Sequence, residues 1–185
     1  TFVLTGANTL TGGTTVSAGA LQVGAGGSLG SATIASGALL SFNRADVFTY
    51  AGATSGAGSV SVVGGGNMPI TGALSHNGGT LVGSGQILTL GTGSSVGVAG
   101  ALTVDGSLKV NTTGSAAIGS VIGGVGSLSV DAGTLVLTGA NTYQGTTTVA
   151  SGATLQVGDA GAVGALPPSA VVTNNGTLVI SRSGT

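Results

Sequence analysis

The chain has 185 residues, 39 of them glycine, while Asp, Glu, Lys and Arg together make only 4% and the formal net charge is −1. With no basic excess there is no electrostatic footprint for nucleic acid, and no run approaches the roughly 18 apolar residues that a membrane-spanning helix needs. Disorder is excluded too, because a hydrophobic fraction of 41% and a mean hydropathy of +0.60 supply enough apolar surface to drive folding.

The aromatics are Phe2, Phe42, Phe48, Tyr50 and Tyr143, so the core must be built from Val, Leu, Ile and Ala in thin layers. Val, Ile and Thr favour extended backbone, helix-forming Glu, Lys and Arg are nearly absent, and no helical periodicity is visible. The chain is therefore expected to be all-β. It has no cysteine, which removes disulfide and thiolate chemistry without fixing a compartment.

In chain order, the first element is a repeat, and internal similarity is the first thing to seek. Residues 4–30, LTGANTLTGGTTVSAGALQVGAGGSLG, return at 137–164 as LTGANTYQGTTTVASGATLQVGDAGAVG, with 18 of 27 aligned positions identical and one gap opposite Thr154. The positions that define it are Leu4, Gly6, Asn8, Val16, Leu21 and Val23, matched by Leu137, Gly139, Asn141, Val149, Leu155 and Val157. Asn8 and Asn141 are expected at matching corners, where Asn tolerates left-handed backbone and its amide can bond its neighbours.

Between the copies runs a shorter unit: glycine, one residue, then apolar–any–apolar. It appears at Gly58–Val62, Gly100–Val104, Gly106–Val110, Gly126–Val130 and Gly133–Leu137. Alternate side chains of a strand share a side, which predicts Leu108 and Val110 inside with Lys109 outside, and Gln22 and Gln156 outward. The leading glycine is expected to supply a positive φ at a sharp corner.

Spacing then gives the architecture. Leu39, Val60, Leu81 and Leu102 follow at 21-residue intervals, and Leu88, Leu108, Leu128 and Val149 at 20, 20 and 21. That period is too short for a βαβ unit, but suits a solenoid coil of three short strands, about 20–21 residues long, stacked in parallel register. Eight or nine coils are expected, in one segment spanning 1–185 with no domain boundary. Pro167-Pro168 reads as a local loop. Thr1 already lies inside a repeat and no signal peptide is present, so the segment is expected to come from a longer array.

The strings LTGANTLTGGTTVSAGALQVGAGG and GTLVLTGANTYQGTTTVASGATLQVG resemble the passenger-associated transport repeat of autotransporters. Leu40–Asp46 followed by Phe48–Gly52 is similar to the link that often follows that repeat. The resemblance implies a right-handed parallel β-helix, exported through a C-terminal barrel to the bacterial cell surface or beyond. It also implies a repeat that aids passenger folding during secretion.

The candidates for chemistry are sparse. Gly26–Gly30 and Gly93–Gly97 match Gly-x-Ser-x-Gly, but a nucleophile elbow needs a strand–turn–helix setting, and no helix is expected. His76, the single histidine, is expected on a solvent-facing turn. Asp46, Asp105, Asp131 and Asp159 are far apart in sequence; stacking could approach Asp105 to Asp131, but both read as corner residues. Gly123–Leu128 begins like the calcium nonapeptide but has Leu128 where Asp is required. No catalytic, metal or cofactor site is expected.

The leading functional expectation is a non-enzymatic extracellular stalk or adhesin scaffold. Its partners would be host or matrix glycans and proteins, or further copies of itself. A filament formed by head-to-tail stacking is the second expectation. An ice-binding threonine face and a polysaccharide-acting enzyme rank below both.

Overall fold

The structure, a computed structural model, describes residues 1–8, 10, 12–91, 97–161 and 163–183. Among them are short strands and no helix, wound into a parallel β-solenoid of about nine coils. Each coil contributes to three faces. The first carries Phe2–Leu4, Ala20–Val23, Leu39–Asn43, Ser59–Val63, Thr80–Val82, Leu102–Val104 and Ile122–Gly123. The second carries Asn67–Ile70, Ile87–Leu90, the first halves of Ser107–Ile118 and Ser127–Leu137, then Thr147–Val149 and Val172–Asn174.

The third face begins with Thr14–Val16, Ala32–Ile34 and Thr54–Gly56, and continues through bridges at Leu74 to Gly97–Val98. It ends with the second halves of the two long strands, then Thr154–Val157 and Thr177–Ile180. Every pairing is parallel, since a coil returns to each face in the same direction. The long strands Ser107–Ile118 and Ser127–Leu137 turn the corner between the second and third faces with register shifts around Asn111.

Alternation places the core as expected. Leu108 and Val110 are fully buried, as are Val60 with Val62, Leu102 with Val104, Leu128 with Val130, and Leu135 with Leu137. Neighbouring coils stack like on like, for example Val23, Phe42, Val62 and Val82 on the first face. Burying each such side chain contributes about 1.5–3 kcal/mol, and only stacking supplies the burial.

The ladders read by constant spacing need correction. On the first face Val60 pairs with Leu40 and Thr80, and Thr80 with Leu102, whereas Leu39 pairs with Ser59 and Leu81 with Ser61 and Thr103. Leu81 is accordingly 38% exposed. On the second face Leu88, Leu108 and Leu128 do align, but Leu128 then meets Thr147, and Val149 meets Val130. Insertions at corners vary the coil length, so a ladder drawn at one fixed period slips; a slip of one residue changes face.

The leading glycines also act differently from the expectation. Of the five units, only that at Gly133 has its glycine at positive φ, 73°. The others answer to crowding between coils. A Cβ on Gly126 would run into the carbonyl of Gly106, one on Gly106 into that of Gln86, and one on Gly145 into that of Gly126. Successive coils pair at the strand spacing of about 4.8 Å, and at this corner the backbones meet directly. Gln86 interrupts the column, and its side chain turns back to donate to the Gly66 carbonyl at 2.6 Å and accept from Gly65 N–H at 3.0 Å.

Pro69 sits inside a strand, which sequence reasoning passed over. Its carbonyl accepts from Tyr50 N–H at 2.8 Å, so its missing donor faces the same neighbour, residues 47–50. That neighbour is held by the bridges Val47–Asn67 and Tyr50–Ile70 alone rather than by a full ladder. Pro167-Pro168 does lie in a loop, closed by Ala170 N–H donating to Pro167 O at 2.9 Å.

Candidate functional site: repeat corners and outward faces

The Leu-Thr-Gly-Ala-Asn-Thr stretch leaves a strand and turns a corner, and there its asparagine joins coils. Asn141, 3% exposed, donates through Nδ2 to Gly139 O at 3.2 Å and to Ala165 O in the following coil at 2.8 Å. Its Oδ1 accepts Ile122 N–H of the preceding coil at 3.0 Å. The side-chain amide has the donor–acceptor polarity of a peptide group, so it continues a ladder where the strand has stopped. Asn8 repeats the local bond, donating to Gly6 O at 2.7 Å, and meets the following coil through Ser28, whose hydroxyl links to both Asn8 N–H and Asn8 O. Neither asparagine has positive φ; among the described non-glycine residues that belongs to Ala160. The expected tolerance of left-handed backbone is therefore not what selects asparagine here; its amide bonding is.

The two copies do not occupy the same faces. In the first, Thr14–Val16 lies on the third face and Ala20–Val23 on the first; in the second, Thr147–Val149 lies on the second face and Thr154–Val157 on the third. The copies begin 133 residues apart, and with coils near 20 residues that leaves a remainder of about two-thirds of a turn. The repeat is thus rotated by one face about the solenoid axis. Gln22 and Gln156, both half-buried on the outer side, point away from different faces. The inward positions keep their role whatever the face: Val16, Leu21, Val23, Leu137, Val149, Leu155 and Val157 are all buried, with Leu4 half-buried. Gly139 is buried and Gly6 exposed.

The link segment builds a local cluster. Phe42 packs against Phe48 and Tyr50 with ring centroids 6.0 and 4.8 Å apart. Arg44 lies 4.3 Å over the Phe48 ring, pairs with Asp46, and donates to the carbonyls of Gly24 at 3.2 Å and Gly27 at 2.5 Å. The hydrogen bond to Asp46 raises the Arg44 pKa, and the same bond lowers that of Asp46. Tyr50 reaches back to Gly30 O at 2.9 Å.

His76 overturns its expectation: it is fully buried. Gly78 has no Cβ to strike the Gly58 carbonyl, so this corner closes against the preceding coil and the imidazole turns inward. Its Nδ1 lies 2.7 Å from Thr54 Oγ1, and its Nε2 lies 2.9 Å from Thr80 Oγ1 and 3.2 Å from Gly79 O. The Gly79 carbonyl only accepts, which assigns the proton to Nε2 and makes Nδ1 the acceptor from Thr54. Burial lowers the pKa, and the Gly79 bond opposes this. Tyr143 meets Thr147 Oγ1 at 2.6 Å in the same manner. A general rule emerges: where Thr54, Thr80 or Thr147 replaces an aliphatic core residue, a ring with a polar end comes from a nearby corner to meet it. Among the described residues no buried side-chain polar atom lacks a partner.

The other candidates for chemistry are not brought together. Ser28 is bound to Asn8, and Gly93–Val96 lies outside the described residues. Asp105 accepts from Val125 N–H at 3.3 Å, while Asp131 faces Ser129 and Lys109. Asp159 accepts from Gly161 N–H at 3.2 Å. No group of three or more metal-ligating side chains converges among the described residues.

What remains for contact is the outer surface. On the third face Ser115, Thr134, Thr154 and Thr177 form a hydroxyl column through four consecutive coils. On the second, Ser129, Thr148 and Thr173 form another through three coils, with the Lys109 ammonium side chain next in line. Apart from Phe2, 66% exposed, no aromatic is among the exposed large side chains.

Fold and corners together define a class: a stacked parallel β-solenoid whose coils are keyed by glycine columns and side-chain amides. Residues 1–23 and 130–157 match the passenger-associated-transport-repeat family, and both matched segments end on the Leu-Gln-Val strands at Val23 and Val157. The chain thus carries the autotransporter passenger repeat twice, as the resemblance implied. It is 48% identical over 62 residues to the adhesin BmaC autotransporter of Brucella suis biovar 1 (strain 1330). That stretch is 31% of this chain and spans 2% of the relative's length. No solved structure matches.

Proposed function

We propose that this segment is a non-enzymatic scaffold of an adhesin-like passenger: a rigid spacer on the cell surface that presents or adjoins contact surfaces for host or matrix macromolecules. The observation that carries the reading is the rotation of the repeat. The copies direct equivalent outward residues such as Gln22 and Gln156 from different faces, while their inward positions keep one role. A repeated ligand site would keep its outward residues in one direction; a repeated structural unit need only keep its inward ones. The similarity of 62 residues to a stretch of an autotransporter adhesin supports the cell-surface setting.

Contact with a partner would then come from the hydroxyl columns, through many weak hydrogen bonds summed over coils. The repeat corners would aid secretion by letting each emerging coil stack on the last. The test is adhesion of cells displaying the parent passenger, with residues 1–185 intact, deleted, or replaced by an unrelated solenoid of equal length. Adhesion restored by the replacement supports the scaffold role. Adhesion that needs this sequence, and is lost when Thr134, Thr154 and Thr177 become Glu, places the contact surface here instead.

A further inference from the structure

We propose that the Thr54–His76–Thr80 cluster is an acid-sensitive joint, at which mild acid opens the solenoid locally while the coils on either side stay stacked. His76 is the chain's single histidine, and there is no cysteine, so no other side chain has an ordinary pKa between pH 5 and 8. It is fully buried and joins two coils: Thr54 ends one coil on the third face, and Thr80 opens a later one on the first.

The neutral ring satisfies the site, with Nε2–H donating and Nδ1 accepting. Protonation makes Nδ1 a donor as well. Thr54 Oγ1 must then accept rather than donate, and its own proton loses its acceptor. The added charge meets no counter-ion. The strands Thr54–Gly56, Ser59–Val63, Thr80–Val82, Gly97–Val98 and Leu102–Val104 contain no Asp, Glu, Lys or Arg. Burial is the leading cause of the lowered pKa, and no carboxylate contributes to it.

The sign follows from proton linkage. A histidine whose folded pKa is depressed stabilises the fold fully above its unfolded value near 6.5, and that contribution is lost as pH falls toward the folded pKa. Within the window the unfolding constant rises up to about tenfold per pH unit for one group. The lesion is local because a solenoid coil touches only its neighbours. Opening would begin at residues 74–82 and at Gly100, whose missing Cβ lies against the His76 corner.

The experiment measures urea unfolding and site-resolved hydrogen exchange of the 185-residue chain from pH 7.5 to 5.0. It compares wild type with His76→Gln, which keeps a polar partner without titrating, and with the apolar variant Thr54→Val/His76→Leu/Thr80→Val. The expected result is an unfolding constant that climbs below pH 6.5 in wild type alone, with exchange rising first at 74–82. An equal slope in a folded variant, or exchange that rises uniformly, overturns the proposal. Should neither variant fold, direct NMR titration of the His76 ring in wild type decides: a folded-state pKa at or above 6.5 overturns it, and a lower one upholds it.

Discussion

Asn141 Oδ1 accepts the main-chain N–H of Ile122 at 3.0 Å, a side chain standing where the next strand's carbonyl would be. Among the described residues the first face has no strand after Ile122–Gly123, and Ala165 beyond it is reached through the same amide. Replacing Asn141 by Ala leaves the buried Ile122 N–H without its partner, at about 1–3 kcal/mol, and takes a second donor from the Gly139 and Ala165 carbonyls, which keep main-chain donors. Asn141→Asp keeps an acceptor but turns a carboxylate toward the Gly139 and Ala165 carbonyls, and should cost more. Asn8→Ala, at a half-buried site, should cost less. Urea midpoints of the three variants check this order.

Glycines of two kinds should respond differently to alanine. At Gly152, φ is 81° and a Cβ meets nothing within 4 Å, so only backbone strain of about 1–2 kcal/mol is expected. At Gly126 the φ is ordinary, but a Cβ collides with the Gly106 carbonyl, which cannot move without parting two coils. Gly126→Ala should therefore lower the thermal midpoint well beyond Gly152→Ala. Circular dichroism melts of both proteins decide the point.

Alkaline stability should be limited by the tyrosines. Burial pushes the Tyr50 hydroxyl up to about 12 from an ordinary value of 10 and raises that of Tyr143 as well. A folded state that holds the proton more tightly than the unfolded one loses stability as pH rises above about 10. Tyrosinate absorbance should appear together with loss of β signal between pH 10 and 12. In Tyr50→Phe the loss should shift to higher pH. A smooth titration near pH 10 in the intact fold would contradict the burial argument.

Arg44 should matter more than its salt bridge. Arg44→Ala removes donors from the Gly24 and Gly27 carbonyls and uncovers Phe48, with an expected loss of about 2 kcal/mol. Lys cannot reproduce the planar fork, so Arg44→Lys should rescue little. Asp46 is solvent-exposed, and Asp46→Asn should leave the melting temperature nearly unchanged at neutral pH. Its lowered pKa adds stability above the ordinary carboxylate value of 3.8 that fades as pH falls below it. In a pH series of melts, the small neutral-pH difference between wild type and Asp46→Asn should shrink as that range is crossed downward.

The sequence by itself determined the all-β class, the coil near 20 residues, the inward alternation at pairs such as Leu108 and Val110, and the repeat. These are local properties: side-chain direction alternates within one strand, and apolar burial enforces it coil after coil. Only the tertiary structure decided which residues stack, since corners of unequal length set the register that put Thr80 rather than Leu81 beside Val60. It alone rotated the second repeat by one face, because the angle accumulates over every intervening corner. It turned His76 inward to Thr54, 22 residues away, a contact between coils that no motif around Ser75-His76-Asn77 records. It also gave Gly126 its reason, the carbonyl of Gly106 in the coil before it.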